Sequence, residues 1–185
     1  MSVLVRVLLA SALASSTLGG QDFARADAET VRLKPAVFAG LPPHVRQELE
    51  RRGCVVPQSY PDRVPHNVVR GRFTSVAQTD IAVLCSRQRV SAILVFRGGT
   101  TDAVWELGER PDSDFLQVVA AGGVVGFSRA VGIADPKYIQ EHHRRYGGPT
   151  PPRLDHDGIN DIFVGKASVV WYWSGGTWLQ LQGAD

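Results

Sequence analysis

Residues 80–96 run Asp80-Ile81-Ala82-Val83-Leu84-Cys85-Ser86-Arg87-Gln88-Arg89-Val90-Ser91-Ala92-Ile93-Leu94-Val95-Phe96. Two runs rich in Val, Ile and Leu, each of strand length, flank a short polar stretch. Runs of that composition bounded by turn residues form strands, and two in succession form a hairpin. The hairpin is therefore placed at Asp80–Cys85 and Val90–Phe96, turning over Ser86–Arg89.

The same texture continues on both sides. Asn67–Phe73 reads as a strand upstream, and Ala103–Leu107, Phe115–Ala120 and Val124–Val131 read as strands downstream, with Gly98-Gly99 and Gly122-Gly123 as punctuation. Near the C-terminus, Asp161–Val164 and Ala167–Trp173 precede the turn Ser174-Gly175-Gly176, and Trp178–Leu181 closes a second hairpin. Two segments have helical signals instead. Pro42-Pro43 opens a run with Val45 and Leu49 four apart and a stop at Gly53; Asp135 and Pro136 open another through Tyr138, Ile139 and His142 to Gly147-Gly148. Cys54–Val56 is a short strand cut by Pro57, Gln58–His66 is a proline-bearing loop, and Pro149, Pro151 and Pro152 force an extended linker. The expected fold is mainly β (α+β), an antiparallel meandering sheet or sheets with two short helices, stapled by one disulfide.

The N-terminal residues have another character. Ser2–Leu18 carry one basic residue, Arg6, no acid before Asp22, and otherwise Val, Leu, Ala, Ser and Thr. That is the profile of a secretory signal peptide. The apolar part, Val7–Leu18, is shorter than the roughly 20 residues a spanning helix needs. Ala24-Arg25-Ala26 supplies a small-x-small cleavage pattern, which places the cut before Asp27, with Ala12-Leu13-Ala14 as second choice. Residues 1–26 are then a signal peptide and 27–185 a single extracytoplasmic domain, periplasmic or secreted, with no transmembrane segment in the mature chain. An uncleaved N-terminal anchor would leave the compartment unchanged.

In an oxidising compartment an even pair of cysteines is more often bridged than free, so Cys54 and Cys85 are expected as a disulfide. Neither has a neighbouring His or a Cys-x-x-Cys pattern to activate a thiolate. The formal net charge is only +2, with basic residues interleaved among acids. This is not the concentrated basic footprint of a nucleic-acid binder.

Two stretches echo each other. Gly71-Arg72-Phe73 followed by Asp80-Ile81-Ala82-Val83 has the form Gly-x-Phe, loop, Asp-Ile-x-Val, and Asp161-Ile162-Phe163-Val164 repeats its second half. With Asp157-Gly158 before it, this resembles the FG-GAP or VCBS repeats of integrin-α-like β-propellers, whose acidic loop often holds calcium. Carried over by position, the resemblance implies a calcium loop on Asp155, Asp157 and Asp161, with Gly158 permitting the turn between ligands. Arg153 stands at that loop's first ligand position, and the loop before Asp80, Thr74–Thr79, has no acid. Two partial matches do not make a propeller. The competing reading takes these aspartates as turn-formers and caps.

Trp171 and Trp173 share one strand face by period two, with Val170 and Tyr172 on the other. They are either an aromatic binding face for a sugar or protein, or cross-strand core packing. His142 and His143 are expected as exposed helix residues, and His156 sits inside the acidic loop. Gly126-Phe127-Ser128-Arg129-Ala130 lacks the second glycine of a nucleophile elbow. No phosphate loop, dinucleotide glycine pattern or zinc-binding cluster is present in the sequence. The function these features point to is a non-enzymatic binding or assembly module whose partner is a protein or carbohydrate of the cell envelope. The alternative is a small secreted hydrolase, using His142 or His156 beside an acid, or an inhibitor of an extracellular hydrolase presenting Gln58–His66.

Overall fold

A computed structural model describes residues 18–62, 64–166 and 168–183. The described residues begin in a helix, α1 (Leu18–Glu29), that sequence patterning does not announce. The short strands β1 (Arg32–Leu33) and β2 (Val56–Pro57) then pair antiparallel around helix α2 (Pro43–Arg51), which starts on its proline and is followed by Gly53 at φ +72°. Next comes a four-stranded antiparallel meander: β3 (Val68–Gly71), β4 (Asp80–Arg87), β5 (Val90–Phe96) and β6 (Val104–Pro111), paired in that order. The β4–β5 turn is confined to Gln88 and Arg89, both at positive φ.

β4 and β5 are buried along almost their whole length because both faces are covered. Period two sends Ala82, Leu84, Ile93 and Val95 into one core, and Ile81, Val83, Leu94 and Phe96 into another beneath α2. This is why the two runs read as continuous apolar stretches rather than alternating ones. Each fully buried aliphatic side chain contributes about 1.5–3 kcal/mol. Cys54 and Cys85 form the expected disulfide, which ties the exit of α2 to the middle of β4.

A hairpin, β7 (Leu116–Ala120) and β8 (Val124–Phe127), separates the first meander from a second one. The second comprises β9 (Arg129–Ala134), β10 (Gly158–Phe163), β11 (Ser168–Ser174) and β12 (Thr177–Gln182) in consecutive antiparallel order. The single strand expected over Val124–Val131 is therefore two strands in different sheets. The break is at Ser128, whose N–H donates to Phe115 at 2.9 Å and whose carbonyl accepts from Val164 at 2.8 Å, so its two backbone groups serve different neighbours. Helix α3 (Pro136–Tyr146) crosses from β9 to β10, capped by the Asp135 carboxylate accepting from the Tyr138 N–H at 2.7 Å. The β11–β12 turn is the two-residue Gly175-Gly176, both at positive φ, as a tight hairpin requires.

Among the described residues the architecture is mainly β, two open antiparallel meanders with three short α-helices. The second meander sends Val131, Ile159 and Trp171 toward the core shared with the first, and Val170, Tyr172 and Leu181 toward Ile139 on α3. Gly158 has a packing role rather than the turn role expected of it. A Cβ there would lie 2.5 Å from the Trp171 carbonyl and 3.1 Å from the Ile139 side chain.

His142 is buried, at 5 % exposure, and not an exposed helix residue. It lies on the α3 face that carries Ile139, between the rings of Tyr138 and Tyr146. Burial lowers its pKa below the ordinary 6.5, against an opposing hydrogen bond with the Gln182 backbone. A histidine depressed in the fold takes up its proton later than in the unfolded chain, so stability falls as pH drops below about 6.5. We expect urea midpoints to decline as pH drops below about 6.5, and His142→Phe to reduce that decline. An unchanged slope in the variant would remove His142 as its source.

Candidate functional site

The three aspartates expected to hold calcium go to different partners. Asp161 lies within β10, and both carboxylate oxygens accept from Arg129, from Nε and Nη2, each at 2.8 Å. Arg129 opens β9 and is fully buried. Its remaining N–H groups reach the Ser91 carbonyl and hydroxyl at 2.8 and 3.0 Å and the Gly108 carbonyl at 2.7 Å, and its guanidinium lies 4.4 Å from the Phe115 ring centroid. Gly108, at φ +60°, sits where β6 slips register against β5; a Cβ there would lie 3.0 Å from both members of the ion pair.

Asp157 forms a joint with Arg72. Its N–H donates to the Arg72 carbonyl at 2.8 Å, and its carboxylate accepts from the Arg72 N–H at 3.0 Å, binding the second meander to the loop after β3. Asp155 is exposed and faces His156 Nδ1 at 2.8 Å, a bond that holds its carboxyl below the usual range. His156 Nε2 in turn donates to the Trp173 carbonyl at 3.0 Å, so both ring nitrogens are engaged. Among the described residues, no three His, Cys, Asp or Glu side chains converge as metal ligands would. Because Asp161 is already neutralised by Arg129, calcium is expected to leave the melting temperature unchanged in chelator-treated buffer. A calcium-dependent rise would mean the loop rearranges to bind, since a ligand of the native state stabilises it by linkage.

Asp80, which like Asp161 lies on the second strand of its meander, is fully buried and among the described residues forms no ion pair. Its oxygens accept from the Thr74 N–H and hydroxyl, the Gln78 amide and the Gly98 N–H, at 2.7–3.0 Å. The acid-free loop Thr74–Thr79 thus wraps the aspartate with donors.

The Gln58–His66 loop brings Ser59, Asp62 and His66 together, a grouping that sequence spacing did not single out. The Ser59 N–H donates to His66 Nε2 at 2.9 Å, while His66 Nδ1 donates to the Val64 carbonyl at 3.0 Å. The Ser59 hydroxyl is buried and donates to the Arg129 carbonyl at 2.8 Å, and Asp62 lies 4.0 Å from the same Nε2 that faces the serine. A nucleophile triad needs the acid on the opposite nitrogen and an exposed hydroxyl. This arrangement is structural. Gln58 and Asn67 complete it, with amides that donate to Pro57 and accept from the His66 and Val131 N–H groups.

Trp171 and Trp173 do share a face, and it points toward the first meander. Trp171 and Trp178 pack against the shared core, while Trp173 meets Trp105 of β6 at 4.8 Å and Trp178 at 5.6 Å between ring centroids. All four tryptophans remain partly exposed. Beside them lies a cleft of about 590 Å³, lined by Tyr146, Gly148 and Pro149 on one side and by Trp171, Trp178 and Gln180 on the other. The indole N–H groups of Trp171 and Trp178 are shielded from solvent and have no acceptor among the described residues. Unpaired buried donors cost about 1–3 kcal/mol each, so they mark places where a structure carries a tension. The sequence made the aromatic spacing visible but not the Tyr146–Pro149 wall, which comes from the far end of α3.

No family model matches the chain, and neither the curated proteins nor the solved structures contain a significant match to it. Among the described residues, no helix is long and apolar enough to cross a membrane.

Proposed function

We propose that this chain is an exported, non-enzymatic binding module whose ligand is a carbohydrate of the cell envelope, seated in the cleft between Tyr146–Pro149 and the β11–β12 hairpin. The observation that carries this reading is a single cleft walled by the aromatic side chains of Tyr146, Trp171 and Trp178 with polar side chains beside them. Sugar rings offer flat CH faces to stack on aromatics and many oxygens to accept hydrogen bonds. Gln180 and Gln182 add amides that both donate and accept. The same reading takes the two meanders as diverged copies of one repeat, supported by the placement of Asp80 and Asp161 on the second strand of each.

Titration with envelope polysaccharides, followed by tryptophan fluorescence, tests this. Saturable binding is expected, weakened at least about tenfold when Tyr146→Ala and Gln180→Ala are combined, which corresponds to about 1.4 kcal/mol. Gln180 is exposed and its truncation should leave the melting temperature unchanged, whereas Tyr146 covers one face of the buried His142, so the melting curve is recorded beside each titration. Absence of binding to any glycan, or binding indifferent to the double variant, overturns the seat.

A second reading, an inhibitor of an extracellular hydrolase, is favoured by the Gln58–His66 loop. It is fastened by its own hydrogen bonds while it presents Tyr60 at 44 % and Val64 at 76 % exposure. Loss of hydrolase inhibition on Tyr60→Ala, with glycan binding unaffected, would favour it.

A further inference from the structure

The cut expected before Asp27 falls inside α1. Sequence alone offers a second region for it, since Ala12–Gly20 consists of small residues and two leucines and contains several small-x-small triplets. The residues around Ala26 decide between the two regions.

Ala26 is 6 % exposed and belongs to the core shared by the two meanders. Its carbonyl accepts from the Thr30 hydroxyl at 2.8 Å. The next carbonyl, that of Asp27, accepts from Arg32 at 2.8 Å and Arg89 at 2.6 Å. The Asp27 carboxylate also meets both guanidinium groups, each at 2.5 Å. Burial raises the Asp27 pKa, but the bonds from Arg89 and Arg32 outweigh it and hold the carboxyl below its ordinary value. Arg32 reaches onward to the fully buried Asp112, at 2.8 Å, which also accepts from Ser86 of β4. A chain starting at Asp27 would place a new ammonium group where two arginines already converge, and would withdraw Ala26 from the core. It would also remove Asp22, Arg25 and Ala26, which wall a cleft of about 580 Å³ against Tyr60, Val124 and Phe127.

We propose that the exported chain is processed within residues 14–20, and that Asp22–Glu29 stay as a resident helix of the mature domain. The peptidase acts on the translocating chain before it folds, so the helix does not shield Ala24-Arg25-Ala26. The small residues of 12–20 adjoin the apolar run directly, whereas Asp22 places charge between that run and the later triplet, which itself contains Arg25. This inference rests on the export reading.

The test is to express the full chain in a bacterial host, fractionate the cells, and determine the intact mass and N-terminal residue of the folded protein. A periplasmic product beginning between Ser15 and Gln21 is expected. A product beginning at Asp27 overturns the proposal and leaves export standing; an intact Met1 in the cytosol overturns the export reading and the proposal with it. Ala24→Glu supplies a second arm, because Ala24 is exposed on the helix while a glutamate removes the small residue that a cut before Asp27 would need. The N-terminus and melting temperature of that variant are expected to match the parent. A block or shift in processing would overturn the proposal.

Discussion

Arg129→Ala is expected to abolish the folded state at ordinary temperature, or to lower the unfolding free energy by about 3–5 kcal/mol, read from urea denaturation. All five N–H donors of the guanidinium are used, by Asp161, Ser91 and Gly108, and the arginine itself has no solvent exposure. Removing it leaves the nearly buried Asp161 carboxylate without a counter-ion and two carbonyls without their side-chain donor. A domain holds only about 5–15 kcal/mol in total, so one such loss is a large share of it. The double variant Arg129→Met with Asp161→Leu should be less damaged than Arg129→Met alone, because the orphaned charge goes with the second substitution. If the single variant unfolds at the parent's midpoint, the pair is not what joins β9 and β10 to the first meander.

The second large effect concerns Cys54–Cys85. The bridge spans 31 residues of sequence, and closing a loop of that length constrains the unfolded chain by between about 3 and 4 kcal/mol. It fastens the segment carrying α2 onto β4, where Val45, Leu49 and Val56 complete the core on that side. Cys54→Ala with Cys85→Ala is expected to lose about that much by urea denaturation, and the parent should lose it in reductant once opened. Equal stability with and without the bridge would show that packing beneath α2 holds the segment unaided.

Much of this fold was legible where local chemistry and burial agree. The β4–β5 hairpin, the proline-started α2, the Asp135 cap of α3 and the Gly175-Gly176 turn each announce themselves within a few residues. What local spacing hides has a common cause, which is long-range partners. Asp161 satisfies a metal-loop pattern locally, yet its partner is Arg129, 32 residues earlier in the chain. Ser128 divides what reads as a single strand because its N–H and carbonyl serve Phe115 and Val164. His142 did carry a signal, since Tyr138, Ile139, His142 and Tyr146 recur at helical spacing and mark one stripe, with the histidine inside it. Helix α1 was hidden by composition that equally suits a leader. The cleft beside the tryptophans could be anticipated only by its aromatic half.

The hairpin β4–β5 is a wall common to two cores, and this bears on how the molecule can be divided. A split on either side of it would leave one fragment holding the wall and the other with an apolar face and nothing to set it against. Fragment complementation, circular permutation and exchange of segments between homologous chains would therefore all have to keep residues 80–96 together with the elements on both sides. In that respect two meanders, each resembling a module, amount to one indivisible unit of folding.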